Sequence, residues 1–151
     1  DLGFYKAQYD REIRYFDDEL DRFLVALAKR GLRDNTLIVL TADHGESLDE
    51  HRYFLAHGKL PYQPTASVPF MMVLEGRIPA GKVISYPVGM IDMLPTVLEL
   101  LELPLPPQVQ GESLMPLVAG QPGGSPYVFL ESGYANPPAV AVRSGDRKQV
   151  H

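Results

Sequence analysis

The chain has 151 residues, 45% hydrophobic and 22% charged, a balance that excludes a disordered or fibrous polypeptide and supplies apolar surface for a core. A formal net charge of -5, with no basic run, argues against nucleic acid or an anionic membrane as partner. No stretch approaches the ~20 uninterrupted apolar residues of a membrane span, and the absence of cysteine removes disulfides, thiolate metal sites and thiol nucleophiles from these residues.

Residues Asp1 to Arg14 are too charged for a signal peptide, so any export signal is expected upstream of Asp1. From Tyr5 to Arg30 the apolar residues Tyr5, Tyr9, Ile13, Phe16, Leu20, Phe23, Leu24 and Leu27 recur mostly at spacings of three and four, which predicts an amphipathic helix. Lys29 and Arg30 suit its negative end, and Gly31 is a natural stop. Thr36 to Thr41 is apolar without alternation and rich in branched side chains, the pattern of a strand buried on both faces of a parallel sheet. A helix leading into such a strand indicates an α/β fold.

A polar, His-rich stretch from Asp43 to Lys59 follows. Val68 to Leu74 then reads as a second buried strand, with Pro69 tolerable only near its start or at an edge. Asp92 can cap a helix that carries Pro95 in its first turn and Leu94, Val97, Leu98 and Leu101 as one stripe. The proline-rich segment from Pro104 to Pro126 reads as a loop around one short helix near Ser113 to Val118. Tyr127 to Leu130 and Ala139 to Arg143 are strand candidates, Ser144-Gly145-Asp146 is a turn signal, and the strand expected after it is cut short at His151.

The chemistry concentrates in Thr41-Ala42-Asp43-His44-Gly45-Glu46, which sets a carboxylate and an imidazole at the carboxyl end of a predicted strand, where open α/β sheets hold their ligands. Adjacent side chains on a regular strand point to opposite faces, but in the bend beyond its end Asp43 and His44 can converge on one metal ion. Gly45 lets that bend form. Taken alone, the same residues also read as an Asp capping a helix beside a surface histidine.

The surroundings decide between the two. Asp10 to Gly31 followed by Asn35 to Glu46 resembles the helix, strand and metal-binding turn of the sulfatase family within the alkaline phosphatase superfamily. Leu48-Asp49-Glu50-His51 is similar to the family's Leu-Gly-Glu-His, Ala56-His57-Gly58 to its Gly-His-Gly variant, and Tyr62 through Ser67-Val68-Pro69 to its stretch ending in Arg-Val-Pro. Ile91 to Leu98 and Gln110 to Leu117 resemble the Asp-x-x-Pro-Thr helix and the Gly-x-Ser-Leu-x-Pro-Leu loop.

The resemblance implies a mostly parallel sheet flanked by helices, with residues 1–126 as the carboxyl half of the α/β domain and 127–151 as the start of a small antiparallel carboxyl-terminal subdomain. It implies hydrolysis of a small-molecule or carbohydrate sulfate monoester. Asp43 and His44 match two ligands of the active-site divalent ion, usually calcium, with manganese and zinc also compatible. His57 matches a histidine that binds the sulfate and donates a proton to the leaving oxygen, and Lys59 a second sulfate-binding group. Glu50 and His51 are expected to hold the loop together, while Asp49, Arg52 and Ala56 stand where glycines are common in the family. The remaining carboxylates and the formylglycine nucleophile belong to the family's amino-terminal half, so the isolated chain is expected to be inactive. Ser67-Val68-Pro69 begins like the nucleophile motif, but Met71 stands at its arginine position, and the run is read as structure. A periplasmic or extracellular location is implied over a cytoplasmic one, and exposed apolar surface predicts self-association. Two rival readings are a phosphate-directed relative, such as a phosphoethanolamine or phosphoglycerol transferase or a phosphodiesterase, and a non-catalytic remnant domain.

Overall fold

Helix α1 (Leu2–Lys29) opens where the Asp1 carboxylate accepts the Gly3 N–H at 2.9 Å and closes just before Gly31, as its apolar period predicts. The computed structural model that shows this describes residues 1–134 and 136–151, which divide into two units: residues 1–57 with 63–76, and residues 58–62 with 77–151. No helix among the described residues is long and apolar enough to cross a membrane.

In the first unit, α1 buries none of its residues fully; Leu20, Leu24 and Leu27 are half-buried, whereas Tyr5, Tyr9, Ile13, Phe16 and Phe23 are exposed. Strand β1 (Ile38–Thr41) pairs with β2 (Phe70–Val73) in register Ile38↔Val73 to Thr41↔Phe70, with Pro69 just ahead of β2 and the one-turn helix α2 (Gln63–Ala66) between the strands. This pairing is antiparallel, and the mostly parallel sheet that the resemblance implies is not seen among the described residues. An apolar run records that a strand meets cover and says nothing of its neighbour's direction. The cover itself is also thinner than expected, since β1 is half-buried along its length and Met71 and Val73 of β2 are exposed.

In the second unit a 3-10 turn (Met90–Asp92) runs into α3 (Met93–Leu100), and α4 (Met115–Val118) follows. The expected stripe is not what faces inward: Leu94 and Leu101 are exposed, while Pro95, Thr96 and Leu100 are buried. Nor does Asp92 cap α3 with its side chain. Its Oδ2 accepts the Gly89 N–H at 2.9 Å and its Oδ1 accepts the Glu112 N–H at 3.0 Å. Thr96, fully buried, donates from Oγ1 to the Asp92 carbonyl at 2.6 Å and accepts the Leu114 N–H at 2.9 Å. Hydrogen bonding therefore sets which face of α3 turns inward, because Asp92 and Thr96 must both meet the chain at 112–114. Gly111 lies so close to that turn that a Cβ would sit 2.1 Å from the Ile91 carbonyl oxygen. The two motifs, twenty residues apart, form one hydrogen-bonded clasp.

Strands β3 (Val128–Glu131), β4 (Val140–Ser144) and β5 (Arg147–Val150) form an antiparallel meander around the Ser144 to Arg147 turn, with Ala141 buried. The fold is thus α/β with small antiparallel sheets.

Candidate active site

The candidate residues sit in the bend that leaves β1. Gly45 is seated against the segment carrying α2: its N–H donates to the Thr65 carbonyl at 2.8 Å, and a Cβ there would stand 2.1 Å from the Pro64 carbonyl oxygen. Close backbone approach, rather than an unusual dihedral, is what requires glycine. With the backbone so held, Asp43 accepts the His44 N–H on Oδ1 at 2.9 Å, and its side chain is 86% exposed.

The His44 ring places Nδ1 2.9 Å from the Gly45 carbonyl oxygen. A carbonyl only accepts, so Nδ1 carries a proton and Nε2 is the nitrogen whose lone pair a metal ion could take. That Nε2 lies 3.6 Å from Asp43 Oδ2. Two such donors suit one divalent ion at bond lengths of about 2.0–2.4 Å. The fit is that of a partial shell, since no group of three or more His, Cys, Asp or Glu arranged to hold a metal occurs among the described residues.

His57 reaches the same place through a loop. Ser47 and Ala56 form an antiparallel bridge with reciprocal N–H to carbonyl bonds of 3.1 Å each, which sets Glu46 and His57 opposite one another as the next pair. His57 Nδ1 lies 3.0 Å from Glu46 Oε2, and the His57 ring stacks on His44 with centroids 3.9 Å apart and planes 21° from parallel. Tyr53 donates its hydroxyl to the His57 carbonyl at 2.6 Å.

The loop between the bridge residues is tied by Glu50, whose Oε2 accepts the Leu48 N–H at 2.9 Å, the Asp49 N–H at 3.2 Å and the Ser47 hydroxyl at 3.2 Å. Its carboxyl is held below the usual carboxylate range by the backbone N–H groups of Glu50 itself, Asp49 and Leu48. Lys6 of α1 braces the loop from outside, its Nζ 3.0 Å from Asp49 Oδ1. Of the three residues standing where glycine is common, Arg52 takes a left-handed backbone (φ +59°), while Asp49 has a negative φ (-156°, with ψ -1°) and Ala56 is in the bridge.

Asp43, His44 and His57 are therefore gathered in the first unit. Lys59 belongs to the second unit, where its carbonyl accepts the Ser132 hydroxyl at 2.8 Å. The residue that sequence reasoning passed over is Glu46. Its signal was the pairing across the loop, which no local pattern discloses.

Comparison with known proteins places the chain in a family. The sulfatase family model matches residues 5–103. An arylsulfatase of Clostridium perfringens (strain 13 / Type A) is 33% identical over 116 residues, 75% of this chain and 24% of the relative. Among solved structures, a protein in complex with its substrate D-glucosamine-2-N,6-O-disulfate superposes with a TM-score of 0.74 at 26% identity, over 89% of this chain and 29% of the other. A phosphonate monoester hydrolase from Silicibacter pomeroyi does so with a TM-score of 0.77 at 25% identity, over 89% of this chain and 30% of the other. The chain belongs to the sulfatase family, in the alkaline phosphatase superfamily, and spans about a quarter of the length of the arylsulfatase it matches.

Proposed function

We propose that the protein carrying this chain hydrolyses sulfate monoesters of small molecules or carbohydrates. The observation that supports this most is a two-donor turn, Asp43 with His44, stacked against a histidine whose Nδ1 is already engaged, all in a chain of the sulfatase family. Asp43 Oδ2 and His44 Nε2 would hold a divalent ion, calcium first and manganese or zinc as alternatives, completed by oxygen ligands from outside these residues. When bound, that ion and a formylglycine from elsewhere in the protein would supply charge stabilisation and the nucleophile. His57, with Nδ1 on Glu46, directs Nε2 outward as the proton donor to the departing oxygen, and Lys59 is assigned to the sulfuryl oxygens. In this reading β1 and β2 belong to a larger, mostly parallel sheet whose other strands lie outside these residues.

The likeness to a phosphonate monoester hydrolase supports a second reading, in which phosphorus esters are the substrates. Measuring kcat/KM of the full-length protein on nitrophenyl sulfate and on a phenyl phosphonate monoester separates them. A higher value for the sulfate is expected, and the reverse order transfers the assignment to phosphorus. In the same protein, Asp43→Asn and His44→Ala should lower metal content and turnover together. Wild-type metal occupancy and rate in both variants would return the turn to a structural role.

A further inference from the structure

We propose that Glu46 is the positioning residue for His57, setting its tautomer and the direction in which its reactive nitrogen points. The inference deepens the proton-donor reading of His57 and rests on it.

Three observations carry it. The Ser47↔Ala56 bridge fixes Glu46 and His57 as cross-strand partners, so their contact is built into the backbone register rather than left to two flexible side chains. The contact itself is specific: Oε2 of Glu46 is 3.0 Å from Nδ1 of His57, and a carboxylate only accepts, so Nδ1 carries one proton, Nε2 is the nitrogen that must carry the second one given to the leaving oxygen, and the ring left after donation is the Nδ1–H form. Finally, the other oxygen, Oε1, is buried without a hydrogen-bond partner. The contrast with Glu50, four residues on, is informative. Glu50 gathers three donors on one oxygen to tie the loop. Glu46 ties nothing else, and a buried carboxylate oxygen with no partner is a cost that structure alone does not explain.

The stack on His44 makes the orientation matter. With the ring face fixed 3.9 Å from the His44 ring, a half-turn of the imidazole about its Cβ–Cγ bond would put Cδ2 where Nδ1 stands and Cε1 where Nε2 stands, so only one of the two orientations leaves Nε2 where a proton can be delivered. The carboxylate of Glu46 selects one of the two.

The test uses the full-length, metal-loaded protein with Glu46→Ala, Glu46→Gln, His57→Ala and the Glu46→Ala/His57→Ala double variant. Glu46→Ala is expected to lower kcat on an alkyl sulfate by about 10- to 100-fold with KM little changed. Glu46→Gln should recover most of the loss, because the amide oxygen still accepts from Nδ1. The double variant should be no slower than His57→Ala, since a positioning residue has nothing to position once the ring is gone. Losses that multiply in the double variant, or no rescue by glutamine, overturn the proposal. An independent arm reads the imidazole nitrogens of labelled His57 by NMR: the neutral ring should be the Nδ1–H form in wild type and Glu46→Gln and lose that preference in Glu46→Ala. An unchanged tautomer in Glu46→Ala overturns the proposal as well. If His57→Ala itself runs at the wild-type rate, the proton-donor reading fails, and the tautomer measurement still decides whether Glu46 orients the ring.

Discussion

His44 and His57 lie face to face, their ring centroids 3.9 Å apart, although thirteen positions separate them in the chain. The contact joins the group assigned to the metal with the group assigned to the leaving oxygen, so each can be perturbed alone and the other read out.

Replacing His57 by alanine in the full-length protein should slow alkyl or sugar sulfates by ~10²-fold or more while nitrophenyl sulfate loses little, because a poor leaving group needs the proton and a nitrophenolate does not. The kcat/KM ratio for the two substrates, wild type against variant, checks this. Equal losses would make His57 a clamp on the sulfuryl oxygens, which are the same in both esters.

Thr96→Val keeps the shape of a fully buried side chain and removes its hydroxyl, stranding the Leu114 N–H and the Asp92 carbonyl. The expected cost is about 1–3 kcal/mol, seen as a lower thermal midpoint with turnover per folded molecule unchanged. A variant as stable as wild type would show the clasp to be incidental.

The loop closed by Glu50 should fail in acid. Its carboxyl is depressed in the folded chain, so its contribution is present above the ordinary glutamate value of about 4.3 and is lost as pH falls through the lower, folded value. Amide exchange at Leu48 and Asp49 is expected to accelerate, relative to its intrinsic rate, only below about pH 4 in wild type. In Glu50→Gln the same two amides should exchange fast at neutral pH.

The isolated 151-residue chain should self-associate, since Tyr5, Tyr9, Ile13, Phe16 and Phe23 leave an apolar stripe exposed along α1 and Met71 and Val73 another on β2. It should also turn over no aryl sulfate. Sedimentation showing a monodisperse monomer would count against the first expectation, and hydrolysis above a metal-free control against the second.

Local pattern made some of this legible and withheld the rest for physical reasons. The three- and four-residue spacing of α1, the proline at the head of β2 and the glycine turn between β4 and β5 each act within a few residues, so each could be read directly. Adjacent Asp43 and His44 were readable for the same reason. Strand direction was not, because β1 and β2 carry the same apolar runs whichever way they pair. The inward face of α3 was misjudged because Thr96 is polar; it is buried through two hydrogen bonds, one with Leu114 eighteen residues on and one with Asp92 four residues back, not through hydrophobicity. Glu46 escaped notice because its partner is set by a bridge closing a ten-residue loop. Arg52 takes a left-handed backbone without glycine, at a cost of about 1–2 kcal/mol that a pattern of residue types does not register.

The seating of Gly45 against Pro64 and Thr65 gives the protein a tuning screw. Because that contact has no slack, a change of backbone path anywhere in α2 is passed directly to the bend holding Asp43 and His44, on the far side of one glycine. Substitutions among Gln63, Pro64 and Ala66, none of them proposed to touch a substrate, are therefore a route by which the separation of the two side chains proposed to hold the metal can drift between close relatives while those side chains stay the same.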